Sequence, residues 1–281
     1  MSTPRPYRIA GAVKVRDPDS YPVMVRLVDS GRLDGVQVYV GGALSAEERS
    51  RLEDYASLPA ELVVHAPHHE DGVNPVEPTV PGGLAPAAAA ARLDTGMAAA
   101  LEAADLLGAT RVVFHGGAVV RHDLEAAGAA MAAFLDAWPD PRLVLENMPA
   151  VHRDLVFVGT SADELLVLGQ GRVRGYCLDL AHLYVASNFF GWDYAVALAA
   201  FDELPVAYHH LSNSPAGSVR DRHLPLDAPD GGMPFESVMA RVRSHPEITT
   251  CLEYKTAGGG VYEAQLAAFD ALYRRHGGGN P

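Results

Sequence analysis

Residues 208–223 read Tyr-His-His-Leu-Ser-Asn-Ser-Pro-Ala-Gly-Ser-Val-Arg-Asp-Arg-His, and this stretch shows how the chain is organised. A short apolar run, residues 204–207, leads into adjacent histidines, and a loop of small polar residues, proline and glycine follows. The stretch ends in Asp221 and His223, which are two residues apart. In an extended segment these side chains project to the same side, so they are predicted to chelate one cation. Other apolar runs of the chain also end in potential metal ligands.

Short β-branched or apolar runs alternate with longer helical patterns along the 281 residues. Strands are predicted near residues 7–15, 35–40, 62–66, 111–115, 142–146, 175–179, 206–211 and 249–253. Helices are predicted near residues 20–30, 45–57, 87–107, 123–138, 161–168, 194–201, 234–244 and 262–276. Parallel strands need crossover helices, so this alternation predicts a single α/β domain over residues 1–281, a (β/α)8 TIM barrel. An open doubly wound sheet is the alternative, but no Gly-x-Gly-x-x-Gly motif follows the first strand.

The bulk composition restricts the partners and the location. The formal net charge of −13 gives no general attraction to a polyanion, so nucleic acid is a disfavoured partner, open only through a local basic patch. Cys177 and Cys251 are far apart in a chain too large to need disulfides, which favours a reduced, cytoplasmic setting. The alanine-rich run 84–109 is interrupted by charged residues, so no membrane span is predicted. Homo-oligomerisation stays open.

Six consecutive predicted strands, the third to the eighth, end in His, Asp or Glu, and in a barrel these ends meet at the C-terminal rim. The nine candidate ligands are His65, His115, Glu146, Asp179, His182, His210, Asp221, His223 and Glu253. A single residue of this kind at a strand end is more often a hydrogen-bonded rim residue. The recurrence of such residues at six strand ends, however, predicts a site for divalent Zn, Mn or Fe. One ion takes about four to six donors. The set therefore predicts one to three ions per chain, with Glu146 and Asp179 as candidate bridges.

These residues resemble the motifs of the xylose isomerase-like barrel superfamily, which includes endonuclease IV and many sugar isomerases and epimerases. The matching motifs are Val-His65-Ala-Pro, Phe-His115, Leu-Glu146-Asn, Cys-Leu-Asp179 with His182, His210-Leu, Asp221-Arg-His223 and Leu-Glu253. The nuclease branch implies phosphoester hydrolysis at three zinc ions. It implies His65 and His115 on one ion, Glu146 as a bridge, Asp179, His210 and Glu253 on a second ion, and His182, Asp221 and His223 on the third. The chain departs from that branch at His68, where the nucleases have Tyr, and in the loop after the second strand, which lacks aromatic and basic side chains.

The isomerase and epimerase branch implies Glu146, Asp179, His210 and Glu253 around one Mn, Mg or Co ion. In that branch Glu146 and Glu253 are the catalytic acid/base pair that moves a proton beside a carbonyl. Residues 221–226, Asp-Arg-His-Leu-Pro-Leu, followed by Gly-Gly-Met-Pro-Phe at 231–235, resemble a segment common in this branch. This resemblance favours an isomerase or epimerase for a small sugar-like or phosphorylated substrate, with His68, Arg222 and Lys255 as substrate-binding residues.

A weaker resemblance links residues 179–193 to the multinuclear non-haem iron oxidases of the same superfamily, which generally carry Asn where this chain has His182. Among the remaining residues, Cys177 and Cys251 precede two candidate ligands by two positions, so they are predicted to pack inside the barrel one layer deeper. His209 is predicted to face solvent, and His152 to lie at the surface.

Overall fold

The computed structural model describes residues 5–80, 82–254 and 259–276. Eight parallel strands form a closed barrel, which confirms the predicted TIM barrel. The strands are β1 (Arg8–Lys14), β2 (Gly35–Tyr39), β3 (Glu61–His65), β4 (Arg111–His115), β5 (Leu143–Glu146), β6 (Gly175–Asp179), β7 (Val206–Leu211) and β8 (Thr249–Leu252). Strand β1 closes the barrel by pairing with both β2 and β8.

Helices connect the strands around the outside of the barrel. They are α1 (Ser20–Asp29), α2 (Ala46–Ala56), α3 (Pro86–Leu107), α4 (Leu124–Ala137), α5 (Ala162–Gly169), α6 (Leu180–Phe190), α7 (Tyr194–Ala199), α8 (Phe235–Ser244) and α9 (Gly259–Arg275). Ser45 starts α2 with a capping box, because its side chain accepts from the Glu48 amide and the Glu48 side chain accepts from the Ser45 amide. Within the described ranges, no helix combines the length and the apolar character needed to cross a membrane.

Three elements near the rim were not predicted from the sequence. Helix α6 follows β6 without a loop, since the Asp179 side chain accepts from the His182 amide and caps the helix at its first turn. A short 3-10 helix, His69–Asp71, follows β3. The segments after β4 and β5 form a small antiparallel sheet from Ala118–Val119, Val151–His152 and Leu155–Phe157.

The interior of the barrel contains an apolar layer directly below the rim. It consists of Ala10, Val63, Val113, Val144, Cys177, Tyr208 and Cys251, all fully buried. Both cysteines are free, as predicted for interior packing. Side chains two residues apart on a strand share a face, so the next inward-facing layer contains His65, His115, Glu146, Asp179, His210 and Glu253. The period of the strands therefore places these six residues in one layer.

Candidate metal centre

Glu146, at the end of β5, lies at the middle of this layer and is 1% exposed. Its Oε2 atom is 3.1 Å from His115 Nε2 and 3.3 Å from His65 Nε2. Its Oε1 atom is 3.0 Å from His210 Nδ1 and 3.4 Å from His182 Nδ1. Burial raises the pKa of the Glu146 carboxyl, but the charges of His210 and His115 outweigh burial and bring the pKa well below its usual range. Each oxygen of this carboxylate thus faces a different group of imidazoles.

The His65 ring is oriented for coordination through Nε2. Its Nδ1–H donates to the Ala66 carbonyl at 2.8 Å, so the neutral ring presents a lone pair at Nε2. That lone pair faces Glu146 Oε2 at 3.3 Å. Two ligand atoms that share one tetrahedral ion at about 2.0–2.1 Å lie about 3.3 Å apart. The His65 and Glu146 atoms therefore have the separation of two ligands of one cation.

A second group of side chains surrounds His210, at the end of β7. His210 Nδ1–H donates to Glu146 at 3.0 Å and Nε2–H donates to Gln37 Oε1 at 2.8 Å. Burial lowers the pKa of His210, but the acidic groups around the ring outweigh burial and raise it well above its ordinary value. Gln37 also donates to Glu253 Oε1 at 2.5 Å. Gln37 was missed by the sequence analysis, although a polar residue in the middle of the apolar strand β2 was the available signal.

Asp179 and His182 are joined through Asn147, which follows β5. The Asp179 amide donates to Asn147 Oδ1 at 2.6 Å, and Asn147 Nδ2 donates to the Asp179 carbonyl at 3.1 Å. His182 Nδ1–H donates to the Asn147 carbonyl at 2.9 Å, which leaves Nε2 with its lone pair. Burial raises the pKa of the Asp179 carboxyl. Among the described residues, Asp179 Oδ2 is buried and accepts no hydrogen bond.

The loop after β7 brings Asp221 and His223 together, with His223 Nε2 at 2.7 Å from Asp221 Oδ2. Burial lowers the pKa of His223, but Asp221 raises it to about 9. Asp221 Oδ2 is also 4.0 Å from His182 Nε2, so these three side chains form a third group. The expectation of an extended segment was wrong, because His223 has φ +45° and lies in the left-handed region.

The three predicted substrate-binding residues have different surroundings. The His68 ring stacks on His115, with centroids 5.1 Å apart and planes 10° apart. Its Nδ1 accepts from the Glu70 amide at 3.2 Å, so the neutral ring carries its proton on Nε2 and can donate it to a substrate. Burial lowers the pKa of His68 well below its ordinary value, which keeps the ring neutral. Arg222 is exposed on the loop after β7, and Lys255 lies outside the described residues.

The prediction that His209 faces solvent was wrong. His209 is fully buried, because β7 is covered on its outer side as well, and Arg241 Nε of α8 is 3.5 Å from its Nε2 atom. Burial lowers the pKa of His209 well below its ordinary value. The side chain belongs to the packing between barrel and helices, on the opposite face of β7 from His210.

The donor set fits divalent ions. His65, His115 and Glu146 have ligand atoms within 4.8 Å of one another, and so do His65, His210 and Glu253. The Asp179 oxygen without a hydrogen bond is a buried acceptor of the kind that a cation would satisfy. Imidazole and carboxylate ligands together suit Zn, Mn or Fe. The arrangement can therefore hold transition-metal ions at the rim.

Comparison with known proteins identifies the family. A family model described as the xylose isomerase-like TIM barrel matches residues 26–272. The chain belongs to the xylose isomerase-like TIM barrel family. No curated protein sequence matches it significantly.

Solved structures with very different chemistry share this xylose isomerase-like barrel. Endonuclease IV from Thermus thermophilus is 22% identical with a TM-score of 0.67, and the match covers 95% of this chain and 99% of that chain. A D-tagatose 3-epimerase-like protein is 14% identical with a TM-score of 0.67, over 95% and 99% of the two chains. The IolI protein, solved with a bound zinc atom, is 9% identical with a TM-score of 0.63, over 96% and 99%. At these identities the likeness shows the fold alone, so the reaction has to be argued from the site.

Proposed function

We propose that this protein is a divalent-metal-dependent hydrolase that cleaves a phosphoester of a small molecule at a multinuclear centre. The observation that carries the proposal is the position of Glu146, whose Oε2 faces His65 and His115 while its Oε1 faces His210 and His182. A carboxylate whose two oxygens face separate ligand groups is placed to bridge two ions. The group of Asp221, His223 and His182 offers donors for a third ion.

The surroundings of Glu146 argue against its predicted role in proton transfer. A general base needs to come within hydrogen-bond distance of the substrate. Glu146 is 1% exposed, and each of its oxygens already faces two imidazoles. Glu253 is more accessible, with 14% of its side chain exposed, so it is the better candidate for acid/base catalysis.

Each side chain has a role in the proposed reaction. The first ion would be held by His65, His115 and Glu146, the second by Glu146, Asp179, His210 and Glu253, and the third by His182, Asp221 and His223. Such ions supply Lewis-acid activation of water and neutralise charge on a phosphoryl group. His68 donates its Nε2–H to a substrate oxygen beside the centre. Gln37 fixes the orientation of His210 and Glu253 through its two hydrogen bonds.

Four exposed arginines support an anionic substrate. Arg121 follows β4, Arg153 lies in the hairpin after β5, and Arg220 and Arg222 lie in the loop after β7. Within the part of the chain that the structure describes, none of these four guanidinium groups makes an ion pair. Unpaired arginines on the rim of a protein with net charge −13 attract a phosphate group locally.

The loop after β2 favours a small substrate over DNA. Residues 40–45, Val-Gly-Gly-Ala-Leu-Ser, contain no aromatic and no basic side chain. A protein that opens a duplex needs apolar wedges and cations that hold the phosphate backbone. We therefore propose a phosphorylated small molecule, such as a sugar phosphate, as the substrate class.

Isomerisation or epimerisation of a sugar is the second candidate, carried by Glu253. Its carboxylate is partly open and is oriented by Gln37, as a base that removes a proton beside a carbonyl requires. In this reaction Glu253 would move the proton while Glu146 stays a ligand. The two candidates differ in whether a phosphoester bond is broken.

The test uses protein loaded with Zn or Mn. Inorganic phosphate release is measured from phosphomonoesters of sugar size, alcohol release is measured from the corresponding phosphodiesters, and proton exchange of the same sugars in D2O is followed by NMR. We expect metal-dependent phosphoester cleavage that is lost in Glu146→Gln and kept in Glu61→Gln, a carboxylate at the opposite end of the barrel. Proton exchange without cleavage of either kind of ester by the fully loaded protein would instead establish the isomerase. Nicking of a plasmid with abasic sites would contradict the small-substrate proposal.

A further inference from the structure

A second cluster of metal-binding side chains lies on the rim loops, outside the inward-facing layer of the barrel. His69 and Glu70 belong to the 3-10 helix His69–Asp71, which follows β3. His152 belongs to the short hairpin that follows β5. The cluster thus joins two loops that are distant in sequence, and no part of the mechanism proposed above uses it.

The three side chains converge on one point. One ligand atom from each residue lies within 4.8 Å of the other two. His152 Nε2 is 3.9 Å from Glu70 Oε1, and the His69 and His152 rings have centroids 5.2 Å apart. Phe157 contacts both rings edge-on, with centroid distances of 4.9 Å to His69 and 6.5 Å to His152. These aromatic contacts hold the two imidazoles beside each other.

The burial of the cluster is graded from the protein towards solvent. His69 is 7% exposed, whereas the side chains of His152 and Glu70 are 35% and 53% exposed. A site with two imidazoles, one carboxylate and one open side resembles three-ligand zinc sites, in which water fills the fourth position. The separation of 3.9 Å between His152 and Glu70 exceeds the roughly 3.3 Å of two ligands on one tetrahedral ion, and rotation of the exposed Glu70 side chain closes that gap.

We propose that His69, Glu70 and His152 form a peripheral binding site for a divalent transition-metal ion such as Zn²⁺. The site adjoins the main centre, because His69 also has a ligand atom within 4.8 Å of atoms of His68 and His115. Its other two ligands take no part in that centre and are more exposed than His69. The exposure of His152 and Glu70 leaves one side of the site open to water and predicts weaker binding than in the buried centre. At sufficient free zinc the protein therefore binds one ion more than the buried centre holds.

The test is metal stoichiometry after equilibrium dialysis against a series of buffered free Zn²⁺ concentrations, measured by elemental analysis. We expect wild-type protein to bind one additional ion at high free zinc, and His152→Ala to lack this ion while it keeps the tightly bound ions. Glu70→Gln should weaken binding of the additional ion by at least about 10–100-fold, which is the usual effect of losing an outer-shell partner of a metal site. Both positions are exposed enough for the fold to tolerate the changes, and circular dichroism verifies this.

His122→Ala is the matched control, since His122 is an exposed rim histidine that pairs with Glu164 at 2.9 Å. It should bind as many ions as wild type. If His152→Ala and Glu70→Gln both bind the additional ion with wild-type affinity, the proposal is wrong. It is also wrong if His122→Ala loses an ion to the same extent, because the additional binding would then belong to surface histidines in general. If one variant does not fold, the other decides alone.

Discussion

Replacing Glu146 by Gln tests the proposed bridge most directly, because the amide keeps the shape of the side chain and removes its charge. The carboxylate contacts four imidazoles at 3.0–3.4 Å. It has a pKa well below its usual range, since the charges of His210 and His115 outweigh the effect of burial. At neutral pH the native state therefore contains a charged Glu146, and the substitution leaves the protonated His210 without its partner.

The loss of stability expected for Glu146→Gln differs between metal-free and metal-loaded protein. Breaking a buried charged pair by removing one partner costs about 3–5 kcal/mol, which at about 2 °C per kcal/mol lowers the Tm of metal-free protein by about 6–10 °C. If Glu146 bridges two ions, each ion also binds at least about 10–100-fold more weakly to Glu146→Gln than to wild type. This loss of affinity corresponds to about 1.4–2.7 kcal/mol per ion. The loss of stability in Glu146→Gln should therefore be larger in metal-loaded protein than in chelated protein.

The assay compares Tm and zinc content with and without chelator in wild type, Glu146→Gln and Glu61→Gln. Glu61 is a suitable control because its carboxylate also forms close ion pairs, with Arg8 at 2.9 Å and with Arg111, but at the start of β3. Glu61→Gln should lower the Tm equally in both states and leave the zinc content unchanged. Wild-type zinc content and affinity in Glu146→Gln would refute the bridging argument.

Three further substitutions test other parts of the site. Asp221→Ala should remove one ion per chain in elemental analysis, and an unchanged count would show that the loop after β7 holds no ion. Gln37→Leu should weaken zinc binding about 10–100-fold in competition with a chelator, since His210 loses its partner at 2.8 Å; wild-type affinity would exclude an orienting role. Gly117→Ala should lower the free energy of unfolding, measured in urea, by about 2–5 kcal/mol. Gly117 has φ +114°, which strains any other residue, and the new Cβ would displace the Asn74 side chain, which accepts from the Ala118 amide at 3.1 Å. A change below about 1 kcal/mol would contradict this packing argument.

The barrel could be predicted from the sequence because its strands are buried on both faces and appear as short apolar runs. The predicted bounds of β4, β6 and β7 agree with the structure at both ends. The grouping of the strand-end residues followed from the same pattern, since the residue two positions after an inward-facing core residue also faces inward. Val144 and Glu146 on β5 illustrate this relation.

Other features depend on tertiary contacts that no local pattern reveals. Gln37 could not be assigned a role until barrel closure placed β2 and β8 on the two sides of β1, because only then does the inward-facing side chain reach both His210 and Glu253. The left-handed backbone of His223 could not be predicted from the local sequence, because residues other than glycine rarely adopt positive φ. The burial of His209 required knowledge that α8 brings Arg241 against the outer face of β7.

The group of His182, Asp221 and His223 bears on the number of ions. A mononuclear isomerase would need none of these three as ligands, yet their side chains are only 6%, 15% and 14% exposed. Burying charged side chains is unfavourable unless partners compensate for the lost hydration. The left-handed conformation of His223 adds a further cost of order 1–3 kcal/mol. The 2.7 Å contact between His223 and Asp221 compensates part of the burial cost. A cation bound by all three groups would add to this compensation, and this energetic argument favours a cluster over a single ion.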